Sequence, residues 1–327
     1  MNFIVGLEDK LRNGPNNAPR LRVLITDHVD HLLLDYLRNR LGFDVDEMCD
    51  LGREGLLNRI CDYDILVVRS RTLVDKEVLS RAANLKIIVR AGSGLDNVDL
   101  EEAAARGVKV VNAPEGNVYS VAELTIALMM NAARRISFAH NLVREGGWTK
   151  VRGTELYGKT LGIIGFGRIG SMVGRIAKCL GMRVLAYDIR DVSDTARLID
   201  AVVVKDMDEL LKKSDVVSLH VPLTRETYHL IGKRELWTMK RGAILVNTAR
   251  GKVVDTKALL EALEEGIIGA AALDILENEP PKEEWELKLI NHPRVIVTPH
   301  IGAETDEAQR RICEIVISKL EEALKGL

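Results

Sequence analysis

The hexapeptide Gly165-Phe166-Gly167-Arg168-Ile169-Gly170 lies between two stretches of different hydrophobic period. The run 160–164 before it is short and apolar, as in a buried strand. Behind it, Ile169, Val173, Ile176, Ala177 and Leu180 share one face of a helix. A second apolar run, 183–187, stops at Asp188, eighteen residues past Gly170. Strand, glycines, helix, strand and acid in that order suit the phosphates and ribose of a dinucleotide. Gly165 permits the tight turn, Gly167 lets the backbone approach a pyrophosphate, and Gly170 allows the helix to pack closely on the strand. The helix N-terminus adds N–H groups and a positive dipole end. Cofactor contacts are therefore expected at Gly165, Gly167, Arg168, Ile169, Gly170 and Asp188. A carboxylate at Asp188 accepts hydrogen bonds from ribose hydroxyls and repels a 2′-phosphate, which selects NAD over NADP; Arg190 stands close enough to soften that preference.

Three further polar residues fall just past apolar runs: Arg250 after 243–247, Asp274 after 269–273 and His300 after 295–298. Ligands of open parallel sheets bind at the carboxyl ends of strands, so this reading collects an arginine, an aspartate and a histidine at one edge. Glu279 lies in the loop that follows Asp274. In the first third of the chain, Arg69 and Ser70 end one run and Asn112 another. The loop Ala91-Gly92-Ser93-Gly94-Leu95-Asp96-Asn97 reads as a backbone nest for an anion, with Ser93 and Gly94 at its centre. A plain connecting turn is the alternative for that loop. Arg134 and Arg135 are further candidates for an anionic substrate end.

The elements that must position these residues alternate throughout. Strands are expected at 22–26, 43–46, 65–69, 86–90 and 108–112, with helices at 29–41, 55–61, 76–83 and 100–106. From 158 onward, strands at 160–164, 183–187, 201–204, 216–221, 243–247, 269–273 and 295–298 alternate with helices near 207–213, 233–239 and 256–265. This pattern predicts an α/β protein with two doubly wound parallel sheets. An N-terminal appendage covers 1–20, a substrate-binding domain 21–117 and 300–327, and a dinucleotide-binding domain 118–299. The last helix, 304–325, returns to the first domain, and the two crossings suit hinge closure over a cleft. A helix from about 120 to 144 is apolar around most of its circumference, which predicts burial against a second subunit and a homodimer.

Composition narrows the class. At 327 residues, 46% hydrophobic and 29% charged, the chain is that of a globular protein with room for two cores. A net charge of −2 argues against a nucleic-acid binder. No apolar run approaches the roughly 18 residues of a membrane span, and the N-terminus lacks signal-peptide features, so a cytoplasmic protein is expected. Cys49, Cys61, Cys179 and Cys313 are scattered in apolar contexts without a CxxC spacing and read as reduced core thiols, with no metal site.

The motifs Asn247-Thr248-Ala249-Arg250-Gly251, Ala272-Leu273-Asp274 with Glu279-Pro280-Pro281, Thr298-Pro299-His300-Ile301-Gly302-Ala303 and His220-Val221-Pro222-Leu223-Thr224 carry a resemblance. Together with the glycine fingerprint they resemble the D-isomer-specific 2-hydroxyacid dehydrogenases over the whole second domain. Val68-Arg69-Ser70, residues 90–100, and Trp148 followed by 153–162 point within that family to members acting on D-3-phosphoglycerate, which open serine biosynthesis. The resemblance implies a Rossmann NAD-binding domain beside a flavodoxin-like substrate domain. It implies His300 as general base, Glu279 as the carboxylate fixing its imidazole, and Arg250 as the two-point grip on the substrate carboxylate. It implies that Asp274 orients the nicotinamide carboxamide, and that Val221, Pro222, Thr227, Thr248, Ala249, Gly302 and Ala303 line the cofactor cleft. Arg69, Ser70, Ser93, Gly94 and Asn112 are expected at the phosphate end. The chain stops at Leu327 just after its closing helix, so the amino-acid-sensing domain of longer relatives, and inhibition by serine, are not expected. A glyoxylate, hydroxypyruvate or D-lactate dehydrogenase would use the same residues, and so would an NAD(H)-sensing binding protein.

Overall fold

The computed structural model describes residues 20–327, so residues 1–19 of the expected appendage lie outside the described residues. The chain forms two compact units: unit 1 runs to Asn117 and takes in Glu304–Leu327, and unit 2 is Val118–Ala303.

Unit 1 is built on β1 (Arg22–Ile25), β2 (Asp44–Glu47), β3 (Ile65–Val68), β4 (Ile87–Arg90) and β5 (Lys109–Asn112). All are parallel, in the order β2-β1-β3-β4-β5, the doubly wound order of flavodoxin-like sheets. β3 and β4 are buried at every position, as strands covered on both faces must be. Three of the connecting helices start at aspartates whose carboxylates accept backbone N–H groups, Asp30 from Leu32, Asp75 from Val78 and Asp99 from Glu102, while Arg53–Arg59 starts at Gly52. The expected helix 29–41 is α-helical only over His31–Asp35 and widens to a π turn at Tyr36–Arg40. The closing helix, Asp306–Leu324, packs on β4 and β5, where Lys319 Nζ donates to the Asn112 carbonyl at 2.8 Å.

Unit 2 holds β6 (Thr160–Ile164), β7 (Arg183–Tyr187), β8 (Val202–Val203), β9 (Val216–Leu219), β10 (Ala243–Asn247), β11 (Ile268–Leu273) and β12 (Val295–Val297). Their order, β12-β11-β10-β9-β6-β7-β8, is the dinucleotide-binding winding with one extra edge strand, and it reverses between β6 and β9. The strand expected at 201–204 shrinks to two residues. Two helices escape the hydrophobic pattern, Ser193–Leu198 and Glu284–Ile290, because each is short and largely solvated.

The long helix expected at 120–144 is two helices, Val118–Arg134 and Ile136–Arg144, broken where Arg135 turns left-handed at φ 53°. A left-handed residue of this kind costs about 1–2 kcal/mol. The break is offset by bonds the sequence pattern does not reveal. Asn131 Oδ1 accepts the Ser137 N–H at 2.8 Å, its Nδ2 donates to Ser137 Oγ at 2.6 Å, and the Ala133 carbonyl accepts Thr154 N–H. The first helix spends its apolar circumference inside unit 2: Ala122, Ile126, Leu128, Met129, Ala132 and Ala133 pack with Leu161, Ile163, Ala270 and Ala272. Burial by a second subunit is therefore not needed to explain it. The second helix buries nothing and leaves Ile136, Phe138 and Val143 exposed.

Two further expectations are corrected. The second unit extends past Pro299 to Ala303, so His300 belongs with the glycine fingerprint rather than with unit 1. Of the four thiols, only Cys313 is buried; Cys61 and Cys179 are exposed. Among the described residues, no helix is long and apolar enough to cross a membrane, and no cluster of three metal-ligating side chains occurs.

Candidate active site

Register brings the polar residues of unit 2 to one edge. Ile164 of β6 lies opposite Tyr187 of β7 and Leu219 of β9; Asn247 of β10 lies opposite Leu219 and Leu273; and Leu273 of β11 lies opposite Val297 of β12. Asp188, Gly165, His220, Thr248–Arg250, Asp274 and His300 therefore leave six neighbouring strands at their carboxyl ends.

At the glycine turn each position carries out a separate task. Gly165 has φ +89°, and a Cβ there would lie 2.6 Å from the His220 carbonyl oxygen. A Cβ on Gly170 would lie 2.1 Å from the Gly165 oxygen, so only glycine lets the helix Arg168–Cys179 start this close to β6. Gly167, its N-cap, faces open space but for an Arg190 nitrogen 3.5 Å away, and no side chain caps the helix. That is the geometry an approaching pyrophosphate requires.

Asp188 is almost fully buried, at 6% side-chain exposure. Its carboxylate accepts the Phe166 N–H at 2.8 Å, the Arg190 N–H at 3.0 Å and both sides of the Arg190 guanidinium at 3.1 Å. Burial alone would raise its pKa, but the Arg190 side chain and the two backbone N–H groups outweigh it and hold the carboxyl below the usual carboxylate range. The carboxylate is thus charged at neutral pH, with one long, exposed arginine folded across it.

His300 is also left-handed, at φ 56°, with its N–H on the Asp274 carbonyl at 2.9 Å. Its Nδ1 lies 2.9 Å from Glu279 Oε2, while Glu279 Oε1 accepts the Leu276 N–H at 3.1 Å. A carboxylate on Nδ1 keeps the proton on that nitrogen, which leaves the Nε2 lone pair available to a ligand. Asp274, 1% exposed, is spent on the same turn: Oδ1 accepts Thr298 Oγ1 at 2.6 Å and Ile301 N–H at 2.9 Å, and Oδ2 accepts Gly302 N–H at 2.9 Å. It holds the loop that carries His300.

Several residues support the site through bonds that the sequence does not show. Buried Asn247 ties the Arg250 turn, donating to the Arg250 carbonyl at 2.9 Å and accepting the Ala249 N–H at 3.0 Å. Thr248 shares a 2.8 Å hydroxyl bond with Thr125 of the helix Val118–Arg134. Thr227 closes the turn after β9 through the Pro222 carbonyl at 2.6 Å. The loop bearing Glu279 is held at both ends. Glu277 accepts the Thr256 N–H and hydroxyl at 2.9 and 2.7 Å; buried Glu286 accepts Lys282 and Glu283 N–H groups at 2.9 and 3.0 Å and Asn278 Nδ2 at 2.8 Å. The Glu283-x-x-Glu286 spacing, a capping box, is the hint the sequence carried for Glu286.

In unit 1 the expected anion anchors also gather at a carboxyl edge. Asp27, 4% exposed, accepts Arg69 N–H at 2.6 Å and the Thr72 hydroxyl at 3.0 Å. Asn97 Nδ2 donates to the Arg69 and Thr72 carbonyls, both at 2.7 Å, and Asn112 Nδ2 to the Ser93 carbonyl at 2.7 Å. Beneath the loop, the guanidinium of buried Arg90 fills the space a Cβ on Gly92 would need. Ser70 is exposed, Ser93 and Gly94 half-buried. The Arg69 guanidinium is ion-paired with Glu304.

Two doubly wound units with a glycine turn, a buried acid and a carboxylate–histidine pair define a nucleotide-dependent dehydrogenase fold. The description "D-isomer specific 2-hydroxyacid dehydrogenase, NAD binding domain" matches residues 126–302, and the chain belongs to that family. It is 46% identical over 308 residues to D-3-phosphoglycerate dehydrogenase of Methanocaldococcus jannaschii, covering 94% of this chain and 58% of that protein. It is 44% identical over 303 residues to hydroxypyruvate reductase of Thermotoga maritima, covering 92% and 97% of the two chains. The crystal structure of D-lactate dehydrogenase from Aquifex aeolicus, complexed with NAD and lactic acid, superposes with a TM-score of 0.83 at 32% identity, over 93% of this chain and 96% of that one. The chain thus spans little more than half the length of the phosphoglycerate dehydrogenase it matches.

Proposed function

We propose that this chain interconverts a D-2-hydroxy acid and its 2-oxo acid with NAD, and that the hydroxy acid is D-3-phosphoglycerate, oxidised to 3-phosphohydroxypyruvate at the start of serine synthesis. The observation that carries the reading is the Glu279–His300 pair, set on the same strand edge as the Arg250 turn and the open glycine turn. The uncapped helix, the open face at Gly167 and the charged Asp188 fit the pyrophosphate and ribose of NAD. When bound, NAD+ supplies the hydride acceptor; the protein does the rest. His300 Nε2 takes the hydroxyl proton as the C2–H bond breaks, and Glu279 stabilises the imidazolium that forms. Arg250 grips the carboxylate in a planar fork, which orients C2 and draws charge toward its oxygen. Asp274 would orient the nicotinamide carboxamide while holding the His300 loop, and Asn247 fixes the Arg250 turn.

A second reading, reduction of hydroxypyruvate or glyoxylate, is favoured by the Arg69–Glu304 pair, since Arg69 is the expected phosphate anchor. Steady-state kinetics with D-3-phosphoglycerate, D-glycerate, glycolate and D-lactate separate the readings. A higher kcat/KM for an unphosphorylated acid rejects phosphoglycerate as the substrate. Lack of turnover with all four rejects the dehydrogenase and leaves an NAD(H)-sensing binding protein. A homodimer is part of the proposal, and the exposed apolar residues of Ile136–Arg144, with Trp148 at 89% exposure, support it.

A further inference from the structure

We propose that Glu304 tempers this chain's grip on a phosphorylated substrate tail, by holding the Arg69 guanidinium in an ion pair that the tail must displace. The inference rests on the reading above that Arg69 anchors an anionic substrate tail. Both partners belong to unit 1. Arg69 is fixed from behind by Asp27 on its N–H and Asn97 on its carbonyl, and its guanidinium reaches Glu304 and, at 3.4 Å, the His28 carbonyl. Glu304 directly precedes Thr305, whose hydroxyl accepts the Ala308 N–H at 3.1 Å and caps the closing helix. The backbone is held directly after Glu304 by that cap, and from there the carboxylate, half-exposed, meets the Arg69 guanidinium.

The other cations at this edge of unit 1 are engaged. Arg71 bonds Asp27 at 3.2 Å and the Thr26 carbonyl at 2.8 Å, and Arg90 is buried under the loop. Asp306 and Glu307 open the helix beside Glu304. A phosphate group carries about −1.5 to −2 charge at pH 7, and to use Arg69 it must displace Glu304 and then sit beside it. A small uncharged tail meets neither cost. Like-charge juxtaposition at such a site acts on selectivity more than on overall affinity. Glu304 thus weakens, without abolishing, the hold of Arg69 on a phosphorylated tail, and its removal releases the full cation to it.

The test compares 3-phosphohydroxypyruvate and hydroxypyruvate reduction by NADH in wild type, Glu304→Gln, Arg69→Met and the double variant. Glu304→Gln should shift the ratio of the two KM values about tenfold toward the phosphorylated acid, with kcat changed far less. Arg69→Met added to it should cancel that shift. Inorganic phosphate provides a readout independent of turnover: by equilibrium titration, Glu304→Gln should bind it more tightly than wild type, and the double variant should not. An unshifted KM ratio and unchanged phosphate affinity in Glu304→Gln overturn the inference, even where Arg69→Met shows that Arg69 holds the tail. If no 2-oxo acid is turned over, the dehydrogenase reading fails, and the phosphate titration alone still decides the role of Glu304.

Discussion

His300 stands on a left-handed residue with one ring nitrogen committed to Glu279, and its chemistry follows from that commitment. Replacing it with asparagine keeps a polar side chain but removes the base. Turnover should fall roughly 10²–10⁴-fold with NAD affinity retained, measured by single-turnover kinetics and by fluorescence titration; near-normal turnover would remove His300 as the base. His220 is its opposite. Its Nδ1 is buried without a hydrogen-bond partner, Nε2 lies 2.8 Å from Ser218 Oγ, and loss of water around the ring pushes its pKa down to about 3. A base whose folded pKa is depressed stays neutral in the native state while the unfolded chain takes up a proton below about 6.5. The stability it contributes is complete above that pH and drains away as the pH falls toward 3. Between pH 7 and pH 5, wild type should lose more of its urea midpoint than His220→Gln, which can still bond Ser218. Equal losses would show that this ring does not couple to folding.

At the scale of elements, the glycine turn depends on how closely a helix can start beside a strand. With a Cβ of Gly170 only 2.1 Å from the Gly165 oxygen, even alanine must push the helix outward. Overpacking of this kind costs about 1–3 kcal/mol. Gly170→Ala should therefore lower the melting temperature and weaken NAD binding together, whereas Gly167→Ala, facing open space, should cost binding with little stability. The sequence revealed these positions because a turn's requirements are local. It did not reveal that Asp274 turns onto the His300 loop, since that choice depends on where Thr298, Ile301 and Gly302 lie more than twenty residues away. The break at Arg135 was hidden for a similar reason. Residues 120–144 contain no glycine or proline, and the bonds that favour the kink come from Asn131 and Thr154, whose roles depend on geometry.

At the scale of the whole molecule, the apolar helix used to argue for a dimer is largely accounted for within the chain, and what remains for a partner is narrower. Ile136, Phe138 and Val143 lie on a short helix that buries none of its own residues, and the Arg135 guanidinium covers the Phe138 ring at 4.4 Å. Phe138→Glu should shift the protein from dimer to monomer in sedimentation velocity without lowering its melting temperature by more than a few degrees. A wild-type protein that is monomeric at micromolar concentration, or a Phe138→Glu variant that stays dimeric, would contradict the assignment of this face.

The alternation of elements, the parallel sheets and the glycine turn were determined by the sequence alone, and they rest on short-range rules: periodicity within a segment, turn chemistry, and the carboxyl ends at which loops leave strands. The roles expected of Arg250, Glu279 and His300 came from the resemblance of their motifs to a family. Tertiary structure decided which partner each polar side chain takes. Asp27 with Arg69, Glu277 with Thr256 and Glu304 with Arg69 join residues 42, 21 and 235 positions apart. A hydrogen bond forms where two groups meet in space, and no local pattern records which distant loop the fold will set beside an arginine.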